Sequence, residues 1–289
     1  MIKRTLSILL AVCMLCCLCA CARRPPANDA QAPKRVVAAN RSMADLWLLA
    51  GGELAGATED AMELEGVDGE TKVIGTTEKL NLEAIVALEP ELVLLSATIP
   101  AHKTARNTLE EMQIPCMSLE IDSFDDYDSA MQTLTAMTGR EDLYKTNVQD
   151  VRARIDEILK ESDGTQASFL AIRISPSKTV ALKNDYFSCD IISSFGLQNV
   201  AQDDTVLKEL NLEAVVQWDP DYIFVITQGD EEKARQLYQN AYLDQPAWNG
   251  LQAAQNDRVY LLPKELFQFK PNARWDEAYA CIDRILRES

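Results

Sequence analysis

Residues 80–95, LNLEAIVALEPELVLL, return at 210–225 as LNLEAVVQWDPDYIFV. Leu, Asn, Leu, Glu and Ala match without a gap, and Pro90 falls opposite Pro220. Each copy reads as a short helix, a turn at a proline that cannot continue it, and an apolar strand. A run of apolar residues with no polar alternation belongs to a strand covered on both faces. Two such units in one chain predict two similar lobes.

Working outward, 35–39 (RVVAA) is a β-branched run followed by Asn40, Arg41 and an apolar-periodic segment at 43–50. Ser42 is the expected N-cap there and Gly51-Gly52 the stop. Residues 54–58 and 72–75 read as strands, 100–112 as a helix opened by Pro100, 116–119 as a strand and 124–137 as a helix. The second half repeats the alternation. Strands are expected at 168–174, 179–182, 222–226 and 258–262, and helices at 187–195, 211–218, 231–241 and 272–287. Strands alternating with helices predict an α/β fold with parallel sheets.

Between the copies, 141–161 (EDLYKTNVQDVRARIDEILKE) holds no Gly or Pro and repeats Leu143, Val148, Val151, Ile155 and Ile158 at helical spacing. About 20 residues at ~1.5 Å each predict a rod of roughly 30 Å, placed to join the lobes. The expected organisation is a leader at 1–20, a tether at 21–34, an N-terminal lobe at 35–140, a connecting helix at 141–163 and a C-terminal lobe at 164–289.

Lys3 and Arg4 precede an apolar run, 6–18, that is short for a membrane span and marks an export signal. It ends Leu18-Cys19-Ala20-Cys21, which resembles a lipoprotein cleavage site and makes Cys21 the expected lipidated residue. Of eight cysteines, Cys116, Cys189 and Cys281 remain beyond that point, an odd and scattered set that reads as small buried hydrophobes. The net charge of −17 repels polyanions and excludes nucleic acid as a partner.

No catalytic constellation is present, and no P-loop, dinucleotide fingerprint or other cofactor motif appears. With His102 the only histidine, a site for a bare zinc or manganese ion is not expected.

Three stretches together, 35–52 (RVVAANRSMADLWLLAGG), the first repeat copy and 271–286 (PNARWDEAYACIDRIL), resemble solute-binding proteins of ABC importers. The class is the one that handles iron–siderophore complexes, cobalamin and haem. The resemblance implies two Rossmann-like α/β lobes with parallel sheets, joined by one long helix, with a ligand cleft between them. It further implies a monomer at the extracytoplasmic face of the membrane, held by a lipid anchor and serving a permease dimer with its ATPase, without catalysis. Family members carry one surface glutamate per lobe that pairs with permease arginines. By motif these are Glu83 and Glu213, each also placed in a helical first turn where the macrodipole favours a carboxylate.

In such a fold the ligand meets loops at the carboxyl ends of the strands. The candidates from the first lobe are Arg41, Thr76, Thr77, Ser96, Thr98 and His102; those from the second are Arg173, Tyr186, Gln228, Phe267 and Gln268. Arg41 and Arg173 are suited to ligand carboxylates or chelate oxygens, and Tyr186 and Phe267 to apolar platforms. Thr76-Thr77 stand where cobalamin binders tend to carry aromatics. A ferric siderophore or similar iron chelate is the expected ligand, with cobalamin or haem, or a sensing role, as the alternative.

Overall fold

The computed structural model describes residues 32–289 apart from 202–209 and 211; the leader, most of the tether with Cys21, and Asn211 lie outside the described residues. Asn81 caps helix α2 (Leu82–Ala87), its Oδ1 accepting from Ala84 N at 3.1 Å. The matching helix of the second copy, α7, spans Leu212–Trp218. Both end on a non-glycine residue in the left-handed region directly before the proline, Glu89 at φ 46° and Asp219 at φ 41°. Backbone bonds from Glu89 N to Val86 O (3.0 Å) and Asp219 N to Val215 O (2.9 Å) close the two helices. The chain then enters β6 (Leu92–Ser96) or β11 (Tyr222–Thr227), in which every residue is buried. The repeat is therefore one supersecondary unit used twice.

Each of these strands lies inside its own sheet. In the first lobe the order is β3 (Lys72–Val73), β2 (Leu54–Ala57), β1 (Val36–Ala38), β6 and β7 (Cys116–Leu119), parallel throughout. In the second it is β10 (Gln198–Asn199), β8 (Ser168–Ser175), β11 and β12 (Val259–Leu261), again parallel. One strand departs from the expected pattern: β9 (Lys178–Ala181) pairs antiparallel with β8. Only Pro176 and Ser177 separate the two, and a parallel crossover needs many more residues than that. The expected strand at 72–75 also splits. After Val73 the chain leaves the sheet, and β4 (Gly75–Thr76) pairs with β5 (Lys79–Leu80) in a separate hairpin.

Helix α1 (Arg41–Leu49) is capped by Asn40, whose Oδ1 accepts from Met43 N at 2.8 Å, and not by Ser42. Ser42 stands inside the first turn with its Oγ free to bond elsewhere. Helix α3 (Pro100–Glu111) and α4 (Phe124–Thr138) follow as expected. The connector α5 is one continuous helical run of three pieces, Glu141–Tyr144, a π-turn at Lys145–Gln149, and Asp150–Glu161. Within the wide turn the Asn147 carbonyl accepts the Tyr127 hydroxyl (2.9 Å), and Asn147 Nδ2 donates to Leu49 O (2.9 Å). Lys145 pairs with Asp150 five residues on, the spacing a π-turn brings together.

Helix α6 (Phe187–Ser193) and α8 (Glu231–Tyr238) cover the second sheet, and the terminal helix α9 (Trp275–Glu288) packs along the second half of α5. Trp275 is fully buried where the lobes meet. Its ring stands edge-on to Phe124 (5.9 Å between centroids) from α4 and to Phe187 (6.0 Å) from α6. One apolar cluster thus takes side chains from both lobes. Cys116, Cys189 and Cys281 are free thiols, and burial pushes that of Cys116 up to about 11.

Candidate functional site

In both sheets the direction of strand succession reverses beside the repeat strand, between β1 and β6 and between β8 and β11. Crevices at the carboxyl ends of strands flanking such a reversal are the usual ligand sites of open α/β sheets. Arg41 follows β1, Asp122 follows β7, and the segment 264–272 follows β12; these carboxyl-end segments of the two lobes touch. The Arg41 guanidinium lies 5.3 Å from the Phe269 ring centre, and Lys270 Nζ bonds Asp122 Oδ1 at 2.9 Å. Lys270 N also donates to Ser42 Oγ at 3.3 Å, and Asn272 Nδ2 to Asp45 Oδ2 at 2.7 Å.

Four cations gather here around three rings. Arg41 and Lys264 both face Phe269, the latter at 5.5 Å. Arg173 lies 5.3 Å from the Tyr186 ring, and Lys270 sits 5.6 Å from Tyr186 and 4.4 Å from Phe187. Among the described residues neither Arg41 nor Arg173 pairs with a carboxylate. Arg41 is held instead by the Asp60 carbonyl (2.8 Å) and Arg173 by the Tyr186 hydroxyl (3.4 Å). Burial pulls the Lys270 ammonium below the ordinary lysine range, and Asp122 opposes that pull. Burial likewise raises the Tyr186 phenol, with Arg173 opposing. Arg41, Arg173 and Lys264, stacked on rings and without a carboxylate partner among the described residues, are arranged to receive an anion, whereas Lys270 is already paired with Asp122.

The other expected residues fall into four groups. Ser96 and Thr98 close the end of β6, their hydroxyls 3.0 Å apart, with Thr98 exposed. Gln228 extends the β8–β11 ladder through its backbone N–H to Ile174 O (2.8 Å). Thr76 and Thr77 lie on the β4–β5 hairpin, not at the end of a sheet strand. Gln268 is half-buried, with its Oε1 unpartnered.

Two expectations need correction. His102 is fully buried, its Nδ1 accepting from Ser96 N (2.9 Å) and its Nε2 facing Thr77 O (3.1 Å). Both ring nitrogens are used, so it has none to offer a ligand. Phe267 is also fully buried, because it ends the helical turn Lys264–Phe267 and points into the core. Phe269, two residues on, faces the cations in its place. Phe269 and Lys264 were not singled out from sequence, where the FQFK run shows two equivalent aromatics.

Glu83 and Glu213 are exposed, at equivalent positions of α2 and α7, and neither has a side-chain partner among the described residues. Two open grooves of about 550 and 430 Å³ flank the β4–β5 hairpin, the first reaching Glu59, Asn81 and Glu83, the second Glu59, Asp60 and Thr77. Among the described residues, none of the second lobe lines either groove. The cationic cluster marks the interlobe face better than these concavities, since it joins the carboxyl ends of both sheets.

Residues 36–266 match the family described as periplasmic binding protein. The chain belongs to that family. Among its relatives is the Fe(3+)-citrate-binding protein YfmC of Bacillus subtilis, 22% identical over 238 residues, or 79% of this chain and 72% of the relative. The fold of this binding protein is shared with an ABC transporter substrate-binding protein from Listeria monocytogenes (TM-score 0.77, 20% identity, 90% of this chain and 100% of that one). It is shared also with S. aureus IsdE complexed with heme (TM-score 0.76, 18% identity, 87% and 98%). Among the described residues of the binding protein, no helix is long and apolar enough to cross a membrane, and no three His, Cys, Asp or Glu side chains group to hold a bare metal ion.

Proposed function

We propose that this protein is the solute-binding component of an ABC importer, holding an anionic iron chelate between its lobes and presenting it to a permease. The observation that carries the ligand class is the cluster of Arg41, Arg173 and Lys264 around Phe269 and Tyr186, beside the Lys270–Asp122 pair, in a chain of net charge −17. A field that negative disfavours an anion unless a local group of cations overrides it. The ferric-citrate relative supports the same class. Cys21 would carry the lipid that keeps the protein at the extracytoplasmic face, and acyl chains contribute ~0.8 kcal/mol per buried carbon. Glu83 and Glu213 would meet a two-fold permease as matched carboxylates, setting orientation more than affinity. The work is binding and release, with no chemical step.

Trp275 lies 6.0 Å from Phe187, on which Lys270 rests, so its fluorescence reports on the cluster. Titration with ferric citrate, a ferric catecholate, haem and cyanocobalamin is expected to give a saturable response to an anionic ferric chelate that falls as ionic strength rises. Saturation by cyanocobalamin alone would overturn the ligand class and leave the fold and family untouched.

A further inference from the structure

The β4–β5 hairpin is tied at both ends. At its base Asn81 N, belonging to the cap of α2, donates to Ile74 O at 2.8 Å. Gly75 stands at φ 98°, and a Cβ there would lie 2.4 Å from Lys79 O, so the closeness of the two strands depends on glycine. At its tip the Thr77 carbonyl faces His102 Nε2 (3.1 Å) and the Thr77 hydroxyl donates to Asp60 Oδ2 (3.1 Å). His102 Nδ1 accepts from the N–H of Ser96, the last residue of β6 at the first-lobe reversal point. A backbone N–H can only donate, so Nδ1 is the bare nitrogen and the proton sits on Nε2, aimed at Thr77. Asp60 then completes the chain, its carboxylate accepting from Thr58 and Thr77 and its carbonyl accepting from Arg41 Nη1 at 2.8 Å.

We propose that His102 and Asp60 are positioning residues that clamp the hairpin between the reversal point and the 59–61 turn and so set the Arg41 guanidinium toward the cleft. The proposal rests on reading Arg41 as a ligand contact. A buried imidazole makes sense in this role. An apolar side chain of similar size would fill the space, but it would leave Ser96 N–H and Thr77 O without partners on opposite sides of one ring. The charged groups that face the ring are Glu78 on the hairpin and Asp60 on the turn, and burial outweighs both in keeping it neutral. Protonation would set an Nδ1–H against the Ser96 N–H, donor against donor. The Ala39 carbonyl beside the ring also favours the charged form, and burial outweighs it as well, so the clamp works with the neutral ring.

The single histidine makes the test direct. Nitrogen NMR of the full chain is expected to show one imidazole as the Nε2–H tautomer, with its midpoint below the ordinary ~6.5. An imidazole titrating near that ordinary value with mixed tautomers overturns the clamp. The second readout is rotation of the Arg41 guanidinium, expected to be slow in the wild type and fast in both His102→Leu and Thr77→Val. His102→Gln, whose amide still donates toward Thr77 O, is expected to keep it slow. With ferric citrate as the probe, His102→Leu and Thr77→Val should each weaken binding about tenfold, while His102→Gln stays within about threefold. Unchanged Arg41 rotation in both disruptive variants refutes the positioning role, whatever their stability. A wild type that ignores ferric citrate but keeps the NMR signature refutes this ligand and leaves the clamp standing.

Discussion

Replacing Asp122 with Asn should destabilise the joint between the lobes more than removal of an ordinary surface ion pair. Asp122 follows β7 of the first lobe, and its partner Lys270 belongs to the second; their side chains are 29% and 20% exposed, 2.9 Å apart. The ammonium also rests on the Phe187 ring at 4.4 Å, which keeps most of the side chain out of water. A fully buried pair broken on one side costs roughly 3–5 kcal/mol and an exposed one about 0–1. With a fifth to a third of each side chain in solvent, the expected loss is about 1–2 kcal/mol, or ~2–8 °C in Tm for a chain of this size. The assay is urea and thermal unfolding of Asp122→Asn, Lys270→Met and the double variant. The double variant should be less damaged than the two losses added, by about 1 kcal/mol, because it leaves no buried charge alone. The pH dependence has a defined sign. Burial lowers the folded pKa of Lys270, so the unfolded chain holds that proton more readily, and stability rises as pH climbs from the folded value toward 10.5. The loss in Asp122→Asn should therefore shrink in alkaline solution. Additive single losses with no relief at high pH would refute the reasoning.

Three further outcomes follow from the same geometry. Glu83→Ala with Glu213→Ala should leave chelate affinity unchanged and slow uptake in cells, since both carboxylates are exposed and neither pairs with a cation among the described residues; normal uptake would remove them from docking. Trp275→Ala, emptying the space between Phe124 and Phe187, should cost about 3–5 kcal/mol of unfolding free energy, read as a lower urea midpoint at unchanged slope, with Trp275→Phe far milder. His102 adds a loss of stability in acid. Its folded pKa is lowered by burial, so the unfolded chain takes the proton first as pH falls below ~6.5. The difference in stability between wild type and His102→Gln should follow that window and be flat above it.

The elements that sequence discloses are those whose signal is local. The repeat helices, the turns at Pro90 and Pro220, and the wholly buried β6 and β11 follow from propensity, proline chemistry and apolar runs, whereas the left-handed φ of Glu89 and Asp219 does not. The same holds for the long connector, although its π-turn depends on Tyr127 and Leu49, which lie far away in the chain. Where two neighbouring residues offered the same chemistry, the sequence reading settled on the wrong one, Ser42 as the cap and Phe267 as the platform. Asn40 and Ser42 both make good caps, and Phe267 and Phe269 are equally aromatic. Tertiary structure decided each case, giving Ser42 to Lys270 and Phe267 to the core. His102 shows the reason most plainly. Its residue type announced a possible ligand contact, but its role was settled by Ser96 and by Thr77, 25 residues away, together with the cost of burying an unpaired polar atom.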